Sequence, residues 1–156
     1  MNVVLRPLRA DEFPSFLERA IAEYARDMIE NGDVAEDAAW RKSKADHAAL
    51  LPDGLATPGV AVLAIDADGE SVGRAVLGER TEHGQSHAFL YDLEIGDAHR
   101  GRGLGRRAMK LIQAEARAQG HERIVLNVFG GNDVARRLYR SLGYREVAVT
   151  MAKDLE

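Results

Sequence analysis

The sequence predicts an α/β protein with one mixed β-sheet, made of an antiparallel front half and a C-terminal β-α-β half with a central parallel strand pair. Three observations support this: helical apolar spacing in the first third, short β-rich runs joined by turn signals in the middle, and strand–helix alternation in the last third. A chain of 156 residues with 46% hydrophobic residues is long enough to bury a core. We therefore expect a single domain over residues 1–156.

The front of the chain is predicted to form one strand and two helices. A short apolar segment over residues 3–8 is typical of a strand. From Phe13 to Met28, apolar residues recur at intervals of three and four, which places them on one face of a helix. Asn31-Gly32 indicates the end of this helix, and a second helix is predicted over residues 36–51.

The middle of the chain is predicted to form three antiparallel strands. Residues 60–65 and 71–77 are rich in β-forming residues, and Asp68-Gly69 between them is a turn signal, so the pair predicts a hairpin. A third strand is predicted over residues 87–95.

The last third alternates between helix and strand. Helices are predicted over residues 103–119 and 133–142, and strands over residues 123–129 and 144–151. A strand–helix–strand unit closes as a right-handed parallel crossover, which gives the sheet its parallel pair.

Composition excludes several classes of function. The chain has no cysteine, so disulfides, thiolate metal sites and a cysteine nucleophile are excluded. The net charge of −4 is not that of a nucleic-acid-binding polycation, and the five histidines lack metal-ligand spacing, so neither a nucleic-acid partner nor a metal is expected. No signal peptide or membrane-spanning run is present in the sequence, which predicts a cytoplasmic protein without a membrane partner.

A glycine- and arginine-rich segment between a predicted strand and a predicted helix carries the main functional signal. Glycines allow close backbone approach, and a helix start offers unpaired N–H groups, so this segment suits a pyrophosphate. Its basic residues are Arg100, Arg102, Arg106, Arg107 and Lys110. A dinucleotide fingerprint is disfavoured because the next strand ends without an acidic residue, and no P-loop is present. A solvated surface loop is the other interpretation of this segment taken alone.

Two motifs in the predicted order resemble those of the GNAT family of N-acetyltransferases. Arg100-x-x-Gly103-x-Gly105 after the strand that ends at Ile95 resembles motif A of the family. The second motif is similar to motif B and comprises Asn127, Asn132, Ala135 to Tyr139 and Leu142-Gly143-Tyr144. The order of elements agrees with the family over nearly the whole chain.

This resemblance implies acetyl-coenzyme A as co-substrate and an amine as acceptor. The backbone of Leu93 and Ile95 would pair with the pantetheine arm as an extra strand, and the glycine-rich segment would hold the pyrophosphate through backbone N–H groups. The residues that the resemblance implies at the coenzyme are Leu93, Glu94, Ile95, Arg100, Gly101, Arg102, Gly103, Leu104, Gly105, Arg106, Asn127, Asn132, Ala135 and Tyr139. Homodimers are common among proteins of this shape, and a homodimer stays open here.

Three side chains are candidates for proton transfer. Tyr139 would stand near the sulfur and act as the acid, since a thiolate leaving group needs a proton; on spacing alone, a half-buried packing role is the alternative. Asp92 and Glu94 lie on the third antiparallel strand and are candidate bases for the substrate ammonium, or ordinary polar residues of an exposed face. Both point away from Leu93 and Ile95 unless a β-bulge intervenes.

The function predicted from these residues is acetyl transfer from acetyl-coenzyme A to a primary amine by direct attack in a ternary complex. An acidic set of residues on the first two helices would suit a cationic amine, although a solvated helix face carries the same pattern. A small-molecule amine, a peptide N-terminus and a protein lysine all stay open as the acceptor. Two other functions stay open: a non-catalytic module that binds or senses acyl-coenzyme A, and a nucleotide-binding protein that uses the same glycine-rich segment.

Overall fold

The computed structural model describes residues 1–156 as five strands and four α-helices. The strands are β1 (Val3–Pro7), β2 (Ala61–Ala67), β3 (Glu70–Glu82), β4 (Gln85–Ile95) and β5 (Ile124–Leu126). The helices are α1 (Phe13–Asn31), α2 (Glu36–Leu50), α3 (Leu104–Ala118) and α4 (Asp133–Ser141). The strands form one sheet in the order β1-β2-β3-β4-β5, antiparallel except for the parallel pair β4–β5, so the predicted mixed sheet is confirmed.

Helices cover both faces of the sheet. Met109 and Ile112 of α3 are buried in one cluster with Leu77 of β3, while Phe16 of α1 packs in a second cluster with Val76. Val76 and Leu77 are neighbours on one strand, so their side chains point to opposite faces. Helices α1 and α3 therefore lie on opposite sides of the sheet, and each buries the apolar stripe that its sequence predicts.

A β-bulge interrupts the pairing of β3 with β4. Val76 lies opposite Asp92, but the next residue, Leu77, lies opposite Leu90, so Tyr91 is the extra residue on β4. Leu90 packs in the cluster on the α3 side of the sheet, and Tyr91 packs in the cluster on the α1 side. A bulge shifts the alternation of side chains by one position.

This shift places two carboxylates on the α1 face of the sheet. After the bulge, Leu93 and Ile95 pack against the α3-side cluster. Asp92 and Glu94 alternate with them, so their side chains face α1. The prediction that the two acids point away from Leu93 and Ile95 is confirmed, although a bulge is present just before them.

The parallel pair separates after only three residues. β4 pairs with β5 from Ala88 to Leu90, and β4 continues to Ile95 without a partner on that side. The strand predicted over residues 123–129 is therefore shorter in the structure. Its last residues turn away toward α1, where Phe129 stacks on Tyr24 with ring centroids 6.2 Å apart. The separation leaves a cleft between the two strands.

The predicted final strand over residues 144–151 is wrong. The structure has neither helix nor strand after α4, and Val147, Val149 and Met151 are exposed. A β-forming pattern becomes a strand only where a neighbour supplies hydrogen bonds. β5 is three residues long and offers little edge for such pairing.

No helix of the chain has the length and apolar character needed to cross a membrane.

Candidate active site

The cleft between the separated strands is bounded by four secondary-structure elements and by the segment after β5. The end of β4 forms one side, and the segment after β5 together with α4 forms the other. The N-terminus of α3 closes one end, and α1 lies across the opposite face of the sheet. Most of the predicted site residues line this cleft, so the fold brings together segments that lie far apart in the sequence.

Residues 101–106 present a row of free backbone N–H groups at the start of α3. None of these six N–H groups donates a hydrogen bond within the protein. Gly101 and Gly103 have φ angles of 76° and 75°, a left-handed conformation that other residues rarely adopt. Consecutive N–H groups in such a turn, together with the positive end of a helix dipole, form an anion-binding site.

The arginine side chains of this segment already have partners within the protein. Arg106 Nη2 donates to Ser141 Oγ at 2.6 Å, and Arg107 Nη1 donates to the Met1 carbonyl at 2.6 Å. These contacts direct both side chains to neighbouring elements. An anion bound here would therefore be held chiefly by the backbone, which is what the family resemblance implies.

Arg100 lies beside β4 and contacts three acceptors. Its guanidinium donates to the carboxylate of Glu94, and Nη1 lies 2.9 Å from Asp97 Oδ1. Its Nε donates to the Ile95 carbonyl at 3.0 Å. The carbonyl of Ile95, which the resemblance assigns to the pantetheine arm, therefore has an internal partner in this structure.

Helix α4 supplies the other wall of the cleft. Asn132 caps this helix, because its Oδ1 accepts a hydrogen bond from the Ala135 N–H at 3.2 Å. The start of α3 lies close by, since a Cβ on Gly105 would stand 3.3 Å from Leu138 Cδ2. Asn127 lies exposed where β5 ends. The oxygen of Asn132 thus has a structural partner, and its amide nitrogen is free.

Tyr139 projects from α4 into the middle of the cleft. Its ring packs edge-on against Tyr144, with centroids 5.7 Å apart, and its hydroxyl makes no hydrogen bond within the protein. Burial raises the pKa of Tyr139 to about 12, and the nearby Asp92 and Glu94 add to this rise. The hydroxyl is therefore protonated at neutral pH and is a free donor. The packing role that the sequence left open is present as well.

Arg74 of β3 joins α1 to β4 on the α1 side of the sheet. Its Nε donates to Asp92 Oδ2 at 2.6 Å, and its Nη2 lies 2.6 Å from Glu23 Oε2. The arginine side chain is only 12% exposed, so this is a largely buried ion-pair network. It fixes Asp92 in place and occupies one of its oxygens.

Glu94 differs from Asp92 in its surroundings. Burial raises the pKa of Glu94, and the charge of Glu23 adds to this, while Arg100 and Arg74 oppose it. Its ion pair with Arg100 is nearer to solvent than the Arg74 network, since the Arg100 side chain is 57% exposed. The structure places both candidate bases at the cleft, and Glu94 is paired with the more exposed of the two arginines.

Sequence reasoning missed Arg74 on β3, and it named Glu23 and Asp27 on α1 only as members of a larger acidic set on the first two helices. Two signals could have identified them. Arg74 is the one charge within the apolar segment 72–78 of β3, and charges in such places are paired. Glu23 and Asp27 are four residues apart on a helix and therefore share a face. Predicting the shared network required knowing that α1 crosses β3.

The structure contains no group of three or more metal-binding side chains arranged to hold an ion. The free N–H groups at residues 101–106 do suit the diphosphate of a coenzyme.

Comparison with known proteins identifies the class. Residues 16–144 match the acetyltransferase (GNAT) family. The chain is 32% identical to the uncharacterized N-acetyltransferase YycN of Bacillus subtilis, over 99% of this chain and 100% of YycN. It is 31% identical to YdgE of the same organism, also named an uncharacterized N-acetyltransferase, over 99% of both chains. The crystal structure of YycN superposes with a TM-score of 0.92 over 99% of each chain.

The chain therefore belongs to the GNAT family of acetyltransferases, and it is an N-acetyltransferase by class. Enzymes of this family generally take the acetyl group from acetyl-coenzyme A and act on amines. The predicted family and fold are thus confirmed.

Proposed function

We propose that residues 1–156 act as one catalytic unit that transfers an acetyl group from acetyl-coenzyme A to a primary amine within a ternary complex. One observation carries this proposal: the six free N–H groups of residues 101–106 lie at one end of a cleft that also contains a free tyrosine hydroxyl and two carboxylates. An anion site, an acid and a base are the groups that acetyl transfer from a phosphorylated thioester needs.

The coenzyme would be held mainly by backbone groups. Its diphosphate would accept hydrogen bonds from residues 101–106, and its pantetheine arm would lie along the open edge of β4 at Leu93 and Ile95. For that arm to pair with Ile95, the Arg100 side chain has to leave the Ile95 carbonyl. The remaining contacts would come from Asn127 and from Asn132 and Ala135 at the start of α4.

Tyr139 would serve as the acid. Acetyl-coenzyme A supplies an activated thioester, and its sulfur leaves as a thiolate that must gain a proton. The Tyr139 hydroxyl is protonated and has no internal partner, so it is free to donate to this sulfur. Its high pKa means that ionised tyrosine is rare at neutral pH, which keeps the donor available.

Glu94 is the better base of the two carboxylates. An aliphatic ammonium has a pKa of about 10, so it must lose a proton before its nitrogen can attack. The raised pKa of Glu94 makes it a stronger proton acceptor than an ordinary glutamate. Asp92 is bound by Arg74, which suits Asp92 to a structural role in the ion-pair network. Glu94→Gln should therefore lower turnover more than Asp92→Asn does.

Direct attack is the simplest chemistry for this site, because the chain has no cysteine to form an acyl-enzyme thioester. The amine nitrogen forms a bond to the carbonyl carbon, and the carbon–sulfur bond breaks. One proton passes from the nitrogen to the base, and one passes from Tyr139 to the sulfur. The products are an N-acetyl amine and free coenzyme A.

The test combines binding with turnover. Acetyl-coenzyme A should raise the unfolding temperature, while NAD and ATP should not. Release of the coenzyme thiol can be followed with a thiol reagent, and the cysteine-free chain gives no background signal. Binding without turnover on a broad set of amines would favour a non-catalytic module. Stabilisation by NAD or ATP in place of acetyl-coenzyme A would contradict the proposal.

A further inference from the structure

Helix α1 presents a line of carboxylates toward the part of the cleft beside Asp92 and Glu94, where the acceptor amine would bind. Glu23, Asp27 and Glu30 follow one another at intervals of four and three residues, so they lie on one face of the helix. With a rise of about 1.5 Å per residue, the three span about 10 Å along the helix. The ion pair of Glu23 with Arg74 shows that this face looks onto β4, where Asp92 and Glu94 lie.

The nearby cations neutralise only part of this surface. Arg74 is shared between Glu23 and Asp92, and Arg100 binds Glu94. Asp27 has no cationic partner within 4 Å.

Asp27 is therefore a half-buried carboxylate whose partner is neutral. Its Oδ1 accepts a hydrogen bond from Asn31 Nδ2 at 2.7 Å. Burial raises the pKa of Asp27, and the charges of Glu30 and Asp92 add to the rise. A partly buried charge without a counterion is costly, and a bound cation would remove that cost.

The cleft is bridged beside Asp27. The Gly131 N–H donates to the Asn31 carbonyl at 3.1 Å, which links the segment after β5 to the C-terminal end of α1. Phe129 fills the space next to Gly32, where a Cβ would stand 2.7 Å from its ring. These two contacts close this end of the cleft with protein atoms, which favours a small molecule over a folded polypeptide beside Asp27.

The reacting nitrogen cannot be the cation that Asp27 needs. This nitrogen must be neutral when it attacks the thioester, so its charge is lost at the moment of reaction. A second ammonium group in the same molecule would stay charged throughout. Glu23 shares Arg74 with Asp92 of β4, and Asp27 and Glu30 follow it along α1 toward Gly131, which is where a second group would lie.

We propose that the acceptor is a small aliphatic diamine or polyamine, whose second ammonium group binds Asp27 while the first is acetylated. This inference rests on the proposed function and adds the chemical class of the acceptor to it. Asp27 is a specificity-determining residue in this scheme, because it binds the acceptor but does not exchange protons with the reacting nitrogen.

The test compares 1,4-diaminobutane with butylamine, which has the same carbon chain and one amine, in the full-length protein. A hydrogen bond between charged groups contributes about 1.5–3 kcal/mol, which corresponds to a preference of about ten- to a hundredfold in kcat/KM for the diamine. Asp27→Asn should remove most of this preference, because it lowers kcat/KM for the diamine much more than kcat/KM for butylamine. Glu18→Gln is the matched control, since Glu18 is an exposed carboxylate on the same helix away from the cleft.

The outcomes separate this inference from the proposed function. Equal kcat/KM for the two amines, or a preference for a peptide N-terminus, would overturn the diamine assignment and leave acetyl transfer intact. An equal loss on both amines in Asp27→Asn would show a structural role and overturn the assignment of Asp27. No turnover with any amine, with acetyl-coenzyme A still bound, would overturn both.

Discussion

Replacing Gly103 by alanine tests the anion site at the start of α3. The φ angle of Gly103 is 75°, and a Cβ built there meets no protein atom within 4 Å. The cost to the fold is therefore conformational, about 1–2 kcal/mol for an L-residue in the left-handed region. In a domain of this size, that lowers the unfolding temperature by about 2–8 °C.

Gly103→Ala should also weaken the binding of acetyl-coenzyme A. The added methyl group points into open space beside six free N–H groups, where a diphosphate would approach. Acetyl-coenzyme A at one hundred times its dissociation constant should stabilise the wild-type protein by about 2.7 kcal/mol, or about 5–10 °C. We expect Gly103→Ala to lose most of that shift.

Gly120 offers a matched control for this experiment. Its φ angle is 90°, and an added Cβ again meets nothing within 4 Å, but it lies after the C-terminal end of α3, away from the cleft. Gly120→Ala should lose similar stability and keep the full ligand-induced shift, as measured by thermal unfolding with and without acetyl-coenzyme A. An equal ligand-induced shift in the two variants would refute the assignment of the anion site.

Three further predictions test the catalytic groups and the bulge. Tyr139→Phe should lower kcat by about a hundred- to ten-thousandfold, while thermal stabilisation by acetyl-coenzyme A is retained; unchanged thiol release would exclude Tyr139 as the acid. Since burial raises the pKa of Glu94, the wild-type kcat/KM should fall as the pH drops through that raised pKa and the base becomes protonated. Glu94→Gln should remove this acidic limb, and a limb that persists would assign the base elsewhere. Gly78→Ala places a Cβ 2.6 Å from Tyr91 Cε2 and should cost about 1–3 kcal/mol in urea unfolding, whereas Gly130→Ala, with nothing within 4 Å, should cost little.

The anion site could be predicted from the sequence because its chemistry is local. Residues 101–106 lie next to one another, and their function depends on glycine conformations and a helix start that a short segment specifies by itself. The capping role of Asn132 is local in the same way, since its partner Ala135 is three residues away.

The ion-pair network between α1, β3 and β4 could not be predicted in the same detail. Arg74, Glu23 and Asp92 meet only because α1 crosses the sheet over β3 and β4, and each comes from a different element. The face on which Asp92 lies depends on the bulge at Tyr91, which the alternation of β4 alone does not reveal.

The strand predicted over residues 144–151 is a second case in which a local pattern was not sufficient. Its residues have the β-forming pattern, but a strand exists only where a second strand supplies hydrogen bonds.

The sequence by itself thus determined the order of elements as far as α4, the mixed sheet and the free N–H groups at the start of α3, because periodicity, turn residues and helix starts act over a few residues. Only the tertiary structure decided how β4 and β5 separate, which way Asp92 and Glu94 face, and which carboxylates lack a counterion. These features arise from contacts between segments far apart in the chain, and no local pattern encodes them.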